Sequence, residues 1–248
     1  MIDYQDHIEI APFFQVAGLN SKEERIGYLP TQIRCFIEEA EEIGATLDKT
    51  FESTGELLEN IADDVGDTLF SGAGVIYMLC GEYPEDDPYE YIDELFDLTM
   101  KSDPEVDSCY FIIKNEIKNL KHFLATNKRK KKPSWSEKAI VSSVQRIIMN
   151  AIIIARLYKV DDEHALQVVT ASNFDKFDYT QDEAFKTQVK YANMGLDTAV
   201  FKHHVDGDHP LTVFTNRINS DQKVGDKVYP HRKIMKSHTW GEPKFGYL

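Results

Sequence analysis

Two pairs of acidic residues have the side-chain types and the spacing that a metal site requires. Glu39 and Glu42 are three positions apart, and Asp64 and Asp67 repeat that spacing further along the chain. If both segments are helical, each pair projects from one helical face, and two packed helices bring four carboxylates together. Like charges this close repel unless a cation neutralises them, and carboxylate oxygens suit Mg²⁺ or Mn²⁺. The pattern therefore predicts a magnesium site.

The residues around the acidic pairs narrow the chemistry. Neither segment contains a histidine, which disfavours zinc and di-iron sites. Mg²⁺ leaves positions open for phosphate oxygens, and a water bound to it can become a nucleophile. Each acid alone is typical of a solvated helix face, but the apolar stretch LFSGAGVIYML after Thr68 requires part of this helix to be buried. Together these features favour hydrolysis of a phosphoric anhydride.

Apolar spacing, capping residues and prolines predict the helices that position these acids. Pro30 stands where a first-turn proline is tolerated, and Ser53 with Glu56 forms a capping box. The predicted helices cover residues 31–45, 53–79, 86–101, 106–124, 134–158 and 161–177. We interpret the basic run Lys128–Lys132 as a solvated loop, with contact to nucleic acid as the alternative.

The order of helices repeats along the chain. Ser134 with Glu137 gives a second capping box, and aligning DDVGDTLF from Asp63 with SSVQRIIM from Ser142 puts Arg146 opposite Asp67. The second copy keeps the apolar positions of the first copy but lacks its acidic residues. The alternative is two unrelated helical hairpins of similar length.

The segment beyond Phe177 has a different pattern. TAVFKHHV and PLTVFTNR flank Asp206-Gly207-Asp208 and predict two strands around a turn. We expect a small β or irregular appendage there, followed by an extended tail from Asp226 that packs on the helices. A metal cluster of His203, His204 and the turn residues through His209 fits no familiar spacing, so a polar hairpin tip is favoured.

Composition limits the classes of partner. The chain has 248 residues, with 42 acidic and 28 basic side chains and a net charge of -14, which argues against nucleic acid as a ligand. The apolar run from Ile147 to Ala155 is too short for a membrane span and predicts a buried helix. The three cysteines lack CxxC spacing, and the N-terminus lacks a secretory signal. Because the cysteines Cys35, Cys80 and Cys109 lie in apolar stretches, we expect reduced thiols in the core. We also expect no membrane partner and a cytoplasmic protein.

Two motifs resemble those of a known superfamily. FIEEAEEI (Phe36–Ile43) followed by DDVGDTLF (Asp63–Phe70) resembles the EExxE and ExxD motifs of the MazG-like all-α nucleotide pyrophosphohydrolases. That group includes phosphoribosyl-ATP pyrophosphohydrolase and dimeric dUTPase. FFQVAGL with Arg34 resembles the corresponding segment of phage-type members, and Asn173 and Lys176 match residues of the last core helix. The tail HRKIMKSHTWGEP is similar to the closing segment of the phosphoribosyl-ATP branch.

The chain departs from the superfamily pattern in two places. Asp64 is a shorter carboxylate than the glutamate that opens the ExxD motif, so Glu59 or Asp63 could take part instead. A long insertion also separates the ExxD helix from the helix with Asn173 and Lys176. If the repeat is real, that insertion is the start of a second copy.

The resemblance implies a MazG-like helical bundle built as a pseudo-dimer. Its helical domain would cover residues 1–177, with a catalytic repeat at about 31–102 and a degenerate repeat at about 106–177. Residues 178–248 would form a C-terminal extension packed on the bundle. A homo-oligomer is compatible with this fold, and a viral protein of this kind would act in the host cytoplasm.

The resemblance also implies an activity, namely hydrolysis of a nucleoside or deoxynucleoside triphosphate to the monophosphate and pyrophosphate, which shapes or cleans a nucleotide pool. Mg²⁺, with Mn²⁺ as a substitute, would be held by Glu39, Glu42, Asp64 and Asp67, with Glu38 as general base. The expected substrate-binding residues are Arg34, Lys101, Arg146, Asn173 and Lys176. The alternative is a non-catalytic nucleotide-binding or helical interaction protein with a vestigial metal site.

Overall fold

Helices make up most of the described chain in the computed structural model, and strands occur only near its C-terminus. The structure describes residues 2–82, 84–85, 87–127, 137–205, 211–225, 227–229, 231 and 233–247. The helices are α1 (Tyr4–Val16), α2 (Lys22–Leu47), α3 (Thr54–Cys80), α4 (Glu90–Met100), α5 (Val106–Asn127), α6 (Glu137–Leu157), α7 (Asp162–Phe174) and α8 (Gln181–Asn193). The strands are β1 (Thr198–Val205), β2 (Leu211–Ile218), β3 (Gln222–Val224), β4 (Lys227–Tyr229) and β5 (Ile234–Met235). The expectation of a mostly helical protein with a small C-terminal strand region is confirmed.

Helix α2, which carries Glu38, Glu39 and Glu42, begins earlier than predicted. The Ser21 hydroxyl accepts a hydrogen bond from the backbone N–H of Glu24 at 3.2 Å, and the Glu24 carboxylate accepts one from the Ser21 N–H at 2.8 Å. This capping box starts the helix at Lys22, so Pro30 lies inside the helix and not in its first turn. The predicted start near residue 31 is wrong because the cap upstream of the proline outweighs the proline's preference for a helix start.

Helix α3, which carries Asp64 and Asp67, begins as predicted. The Ser53 hydroxyl accepts a hydrogen bond from the Glu56 N–H at 3.1 Å, and Thr54 is the first helical residue. A short connection from α2 makes the two helices adjacent, and they pack against each other more extensively than any other pair of described elements. The packing is apolar, with Ile33, Phe36, Val65 and Leu69 all buried.

Helices α5 and α6 form a second extensively packed pair, and α6 also packs against α3. Of the described helices, α6 is long and apolar enough to cross a membrane by length and composition, and 72% of its apolar window is buried inside the protein. The prediction of a buried helix here is confirmed by this packing. The predicted start of the third helix at Asp86, the basic run Lys128–Lys132 and the capping residue Ser134 lie outside the described residues.

The chain divides into two compact units. The first comprises residues 1–11, 19–170 and 244–248, and it holds both long helix pairs. The second comprises residues 12–18 and 171–243, and it holds α8 and the strands. The boundary at residue 177 expected from the sequence stays a prediction.

The second unit is built on the antiparallel sheet β1-β2-β5, with α8 packed on β1 and β2. One apolar cluster of this unit contains Tyr191, Leu196 and Ile218. The buried Asp178 carboxylate accepts hydrogen bonds from the hydroxyls of Thr187 at 2.8 Å and Ser237 at 2.6 Å. This carboxylate therefore joins α8 to the segment after β5 and has a structural role.

The three cysteines are free thiols, as the sequence predicts. Cys109 is buried and Cys35 is half-buried, which fits their apolar surroundings. Cys80, at the end of α3, is exposed, so the prediction of a core position is wrong for this residue.

Candidate functional site

Asp64 is the buried member of the predicted acidic quartet. Its side chain lies where α2 and α3 pack, and the residue is only 8% exposed. The pKa of the Asp64 carboxyl is raised from 3.8 to about 7, first by burial and then by the charges of Glu42, Asp63 and Asp67, against a hydrogen bond from Thr46 that lowers it. Carboxylates on both α2 and α3 therefore contribute to the raised pKa of one buried carboxyl group.

One oxygen of this carboxyl group has no hydrogen-bond partner. Oδ2 of Asp64 is fully enclosed, and the hydroxyl of Thr68, one helical turn further on, is also buried without a partner. Thr46 on α2 bonds to the same carboxyl group. Buried polar atoms in native proteins are normally paired with protein or water, so two unpaired atoms one helical turn apart are unusual and single out this face of α3.

The remaining acids of the site are more accessible. Glu39 on α2 and Asp67 on α3 are half-buried, whereas Glu38 and Glu42 are exposed. Across the described part of the chain, no three His, Cys, Asp or Glu side chains gather their ligating atoms closely enough to hold a metal ion. The donor set is nevertheless of the oxygen type that Mg²⁺ prefers, and one of its oxygens is buried and unpaired. The residues therefore fit Mg²⁺ in chemistry, and the four side chains would have to turn towards each other to hold it.

Two glycines of α3 allow neighbouring helices to approach this region closely. A Cβ at Gly66 would lie 2.7 Å from the backbone oxygen of Ala165 on α7, and one at Gly72 would lie 2.8 Å from the Ile148 side chain on α6. Such distances are too short for a side-chain carbon. The glycines between and after the two aspartates thus serve close helix packing.

Glu59 does not join the acidic group in this structure. Its carboxylate accepts hydrogen bonds from the backbone N–H groups of Phe245 at 3.0 Å and Tyr247 at 2.5 Å. Backbone groups near the C-terminal end of the chain therefore bind this carboxylate. Asp63 is half-buried next to Asp64 and contributes to the rise in its pKa, so Asp63 is the nearer of the two alternative ligands.

Arg146 on α6 is held by an acid of α5. Its guanidinium bonds to Oε1 of Glu116 at 3.1 Å, while Oε2 of the same carboxylate accepts hydrogen bonds from Ser143 at 2.8 Å and Asn119 at 2.9 Å. Glu116 is 7% exposed. A buried carboxylate with three donors is fully satisfied, which is the reverse of the situation at Asp64.

The other predicted substrate-binding residues lie in different parts of the chain. Arg34 is exposed on α2, and Lys101 is exposed directly after α4. Asn173 and Lys176 belong to the second unit, where the Lys176 ammonium donates a hydrogen bond to the Asn173 amide oxygen. The structure thus brings Asn173 and Lys176 together, and their role in substrate binding stays a prediction.

The histidines of β1 bond within the sheet. Nε2 of His203 lies 2.9 Å from the Thr215 hydroxyl and 3.2 Å from the Arg217 guanidinium, and His204 bonds to Thr212. Burial, followed by the charge of Arg217, lowers the pKa of His203 to about 4. His203 is therefore neutral at physiological pH, and Asp206, Asp208 and His209 lie outside the described residues.

Sequence reasoning missed Thr46 and Thr68. Thr46 follows Glu42 by four positions, and Thr68 follows Asp64 by four positions, so each lies one helical turn beyond an acid on the same face. That spacing is the signal that could have found them. Both residues are buried, with exposures of 7% for Thr46 and 0% for Thr68.

Comparisons with protein families, with curated proteins and with solved structures give no match to this chain.

Proposed function

We propose that the protein is a Mg²⁺-dependent nucleoside triphosphate pyrophosphohydrolase that converts a nucleoside or deoxynucleoside triphosphate to the monophosphate and pyrophosphate. The observation that carries the proposal is the buried, unpaired Oδ2 of Asp64 under the influence of carboxylates from α2 and α3. An acidic group of this kind is costly for the free protein. A divalent cation removes the repulsion and fills the place of the missing partner.

The proposed roles follow from position and exposure. Glu39, Glu42, Asp64 and Asp67 would hold Mg²⁺, which when bound neutralises phosphate charge and activates water. Glu38, exposed one position before Glu39, would accept the proton that the attacking water loses. The water oxygen bonds to phosphorus as the bond between the α- and β-phosphates breaks, and pyrophosphate leaves. Arg34, Lys101, Arg146, Asn173 and Lys176 remain the candidates for binding the phosphates and the nucleoside.

The pattern of buried positions supports an internal repeat, which we include in the proposal. Buried residues of α2 have buried counterparts on α5 at a constant spacing of 80 positions, as in Ile33 with Ile113, Ile37 with Ile117 and Ile43 with Phe123. Buried residues of α3 have counterparts on α6 at a spacing of 79, as in Val65 with Val144, Leu69 with Ile148 and Ala73 with Ile152. We infer that the α2–α3 and α5–α6 pairs are two copies of one unit, which makes the chain a MazG-like pseudo-dimer.

The α5–α6 pair supports the proposal that the four acidic positions of α2 and α3 surround one binding site. All four acids have polar counterparts in this alignment, and Glu42 aligns with His122. The other three pairs are Glu39 with Asn119, Asp64 with Ser143, and Asp67 with Arg146. Asn119, Ser143 and Arg146 all bond to one group, the Glu116 carboxylate. In the second copy an anion lies among three donors, so the same backbone positions can surround a cation when they carry acids.

The test is a substrate panel. The full chain is incubated with Mg²⁺ and each common nucleoside and deoxynucleoside triphosphate, and pyrophosphate and monophosphate are quantified. We expect release of both products in equal amounts from at least one substrate, none with EDTA, and about a hundredfold less or lower still with the Asp64→Asn variant. No product from any triphosphate with the wild-type chain would overturn the proposal.

A second candidate function is nucleotide binding without hydrolysis. It is favoured by the observation that no described trio of His, Cys, Asp or Glu side chains is gathered to hold a metal. Equilibrium dialysis with labelled triphosphate and Mg²⁺ separates the two functions. Binding of the triphosphate without its hydrolysis would favour a nucleotide-binding protein with a vestigial metal site over an enzyme.

A further inference from the structure

The residues Lys244–Tyr247, here called the C-terminal strap, are docked on the first compact unit, to which they belong. The Phe245 side chain is 6% exposed, so apolar burial anchors the strap. The Tyr247 hydroxyl accepts a hydrogen bond from the backbone N–H of Asp161 at 3.1 Å, and Nε2 of His164 lies 3.3 Å from the carbonyl oxygen of Phe245. The strap is therefore held against the start of α7.

The strap also binds a carboxylate of α3 through its backbone. The N–H groups of Phe245 and Tyr247 donate to the two oxygens of Glu59, one each, at 3.0 and 2.5 Å. Gly246 lies between the two donors with a φ of +84°, a left-handed conformation that glycine adopts without strain. Backbone N–H groups that converge in this way form a nest for an anion. Both oxygens of Glu59 thus have a donor from the strap.

Glu59 is the first of three acids that follow one face of α3. Glu59, Asp63 and Asp67 are spaced by four, so each lies one helical turn from the next, and all three are half-buried. Asp67 is a member of the proposed acidic group, and Asp63 precedes its buried member Asp64. The strap therefore engages a carboxylate on the face of α3 that leads to the proposed site.

The contacts of the strap can be broken without unfolding a helix. The donors to Glu59 come from a chain end outside any helix or strand, whereas the donors to Glu116 come from side chains of α5 and α6 themselves. Segments held by few contacts near a chain end open at a lower free-energy cost than packed helices. Glu59 is therefore held by a partner that can leave.

We propose that the C-terminal strap is an autoinhibitory contact, which withholds the Glu59 carboxylate from the acidic site and raises the rate of hydrolysis when it is released. The inference rests on the proposed function and adds its regulation. A carboxylate whose oxygens both accept backbone N–H groups is committed to the strap. Once released, Glu59 lies one turn from Asp63 and supplies the site with a fifth acid.

The test uses two variants of the full chain that break the nest. Gly246→Val places a β-branched residue at positive φ, and Tyr247→Pro removes one N–H donor. Hydrogen exchange should show loss of protection at the Phe245 amide in both variants. Their kcat/KM for pyrophosphate release, measured with Mg²⁺ and the common nucleoside and deoxynucleoside triphosphates, should rise about tenfold. Gly241→Val is the matched control, because a Cβ at Gly241 meets nothing within 4 Å and its φ is not left-handed.

The gain must depend on Glu59. Glu59→Gln directs an NH₂ group at the strap donors and so also frees the strap, but neither it nor the double variant with Gly246→Val should hydrolyse faster than wild type. Loss of protection together with this Glu59-dependent gain supports the proposal, because a strap that only anchors the chain end would lower stability without raising activity.

Two failures are distinguishable. A wild-type chain that hydrolyses a triphosphate, with freed-strap variants that are no faster or a Gly241→Val control that gains equally, would overturn the role of the strap and leave the proposed function standing. Absence of hydrolysis in the wild type and in every variant would overturn the proposed function itself.

Discussion

The α2–α3 and α5–α6 pairs differ in how they treat a buried carboxylate. In the second pair, Glu116 accepts hydrogen bonds from Asn119, Ser143 and Arg146 and needs nothing from outside. In the first pair, Asp64 has an enclosed oxygen with no partner, and burial, followed by nearby acids, raises its pKa. In the repeat that we propose, the two pairs have matching buried apolar positions and differ in their polar residues. A satisfied carboxylate stabilises a fold, whereas an unsatisfied one is the mark of a binding site.

The largest effect is expected from Asp64→Asn. An amide of the same shape removes one negative charge from the site, so hydrolysis should fall by about a hundredfold or more through loss of a metal ligand. The same change should make the metal-free protein more stable, since it removes the buried acid that its neighbours repel. Pyrophosphate release and denaturant unfolding on one preparation measure both effects. Loss of activity with loss of stability would indicate a folding defect and would contradict this account.

The second largest effect is expected in the pH dependence of the unfolding free energy, measured without metal. With a pKa of about 7 in the folded protein and 3.8 ordinarily, the Asp64 carboxyl group keeps its proton in the folded state while the unfolded chain loses it. Its contribution to stability is therefore complete below pH 4 and is lost as pH rises through 7, by about 4 kcal/mol in total. The difference in unfolding free energy between wild type and Asp64→Asn should follow this curve. A difference that is constant from pH 4 to 8 would contradict the assignment.

In the second pair, Glu116→Gln should lower the stability of the protein, whereas Asp64→Asn in the first pair should raise it. The amide loses the ion pair with Arg146 and directs an NH₂ group at donors, so we expect a loss of about 1–3 kcal/mol in unfolding free energy. The kcat of hydrolysis well below the transition should be unchanged, while a changed KM would report the proposed contact between Arg146 and the substrate. Urea unfolding with parallel activity assays checks this, and a large fall in activity of the folded variant would show that the second pair takes part in catalysis.

The smallest effect concerns the backbone next to the site. Gly66→Ala places a Cβ 2.6 Å from a methyl group of Val169 and 2.7 Å from the Ala165 backbone oxygen, so it should cost about 1–3 kcal/mol by overpacking. Gly27→Ala on α2 is the matched control, because a Cβ there meets nothing within 4 Å. That control should stabilise the helix by about 0.5–1 kcal/mol. Equal effects of the two substitutions would mean that α7 does not approach α3 at Gly66.

The sequence predicts the long helices and the burial of part of α3 because both follow from local apolar spacing. It also predicts the start of α3 at Ser53, where the cap is formed by residues three apart. The start of α2 at Lys22 was missed because Pro30 is a strong local signal, although an interior proline is tolerated here. Short-range patterns therefore fix the helices well and their ends less well.

The parts of the site that sequence could not predict depend on long-range contacts. Glu59 looks like a ligand candidate on α3, yet it binds backbone groups of Phe245 and Tyr247, far away in the chain. The bond between Arg146 and Glu116 likewise joins two helices whose register the sequence does not specify. Thr68 is significant only because its hydroxyl lacks a partner, which is a property of three-dimensional packing.

Proton release on metal binding tests the central claim most directly. Mg²⁺ is titrated into the full chain at pH 6 by calorimetry in two buffers of different ionisation enthalpy, which counts the protons released. With its pKa near 7, Asp64 holds its proton at this pH and must give it up to bind the ion, so wild type should release about one proton per Mg²⁺ bound. Asp64→Asn should release none. Binding without proton release, or no heat from the wild-type chain, would contradict the assignment of Asp64 as a metal ligand.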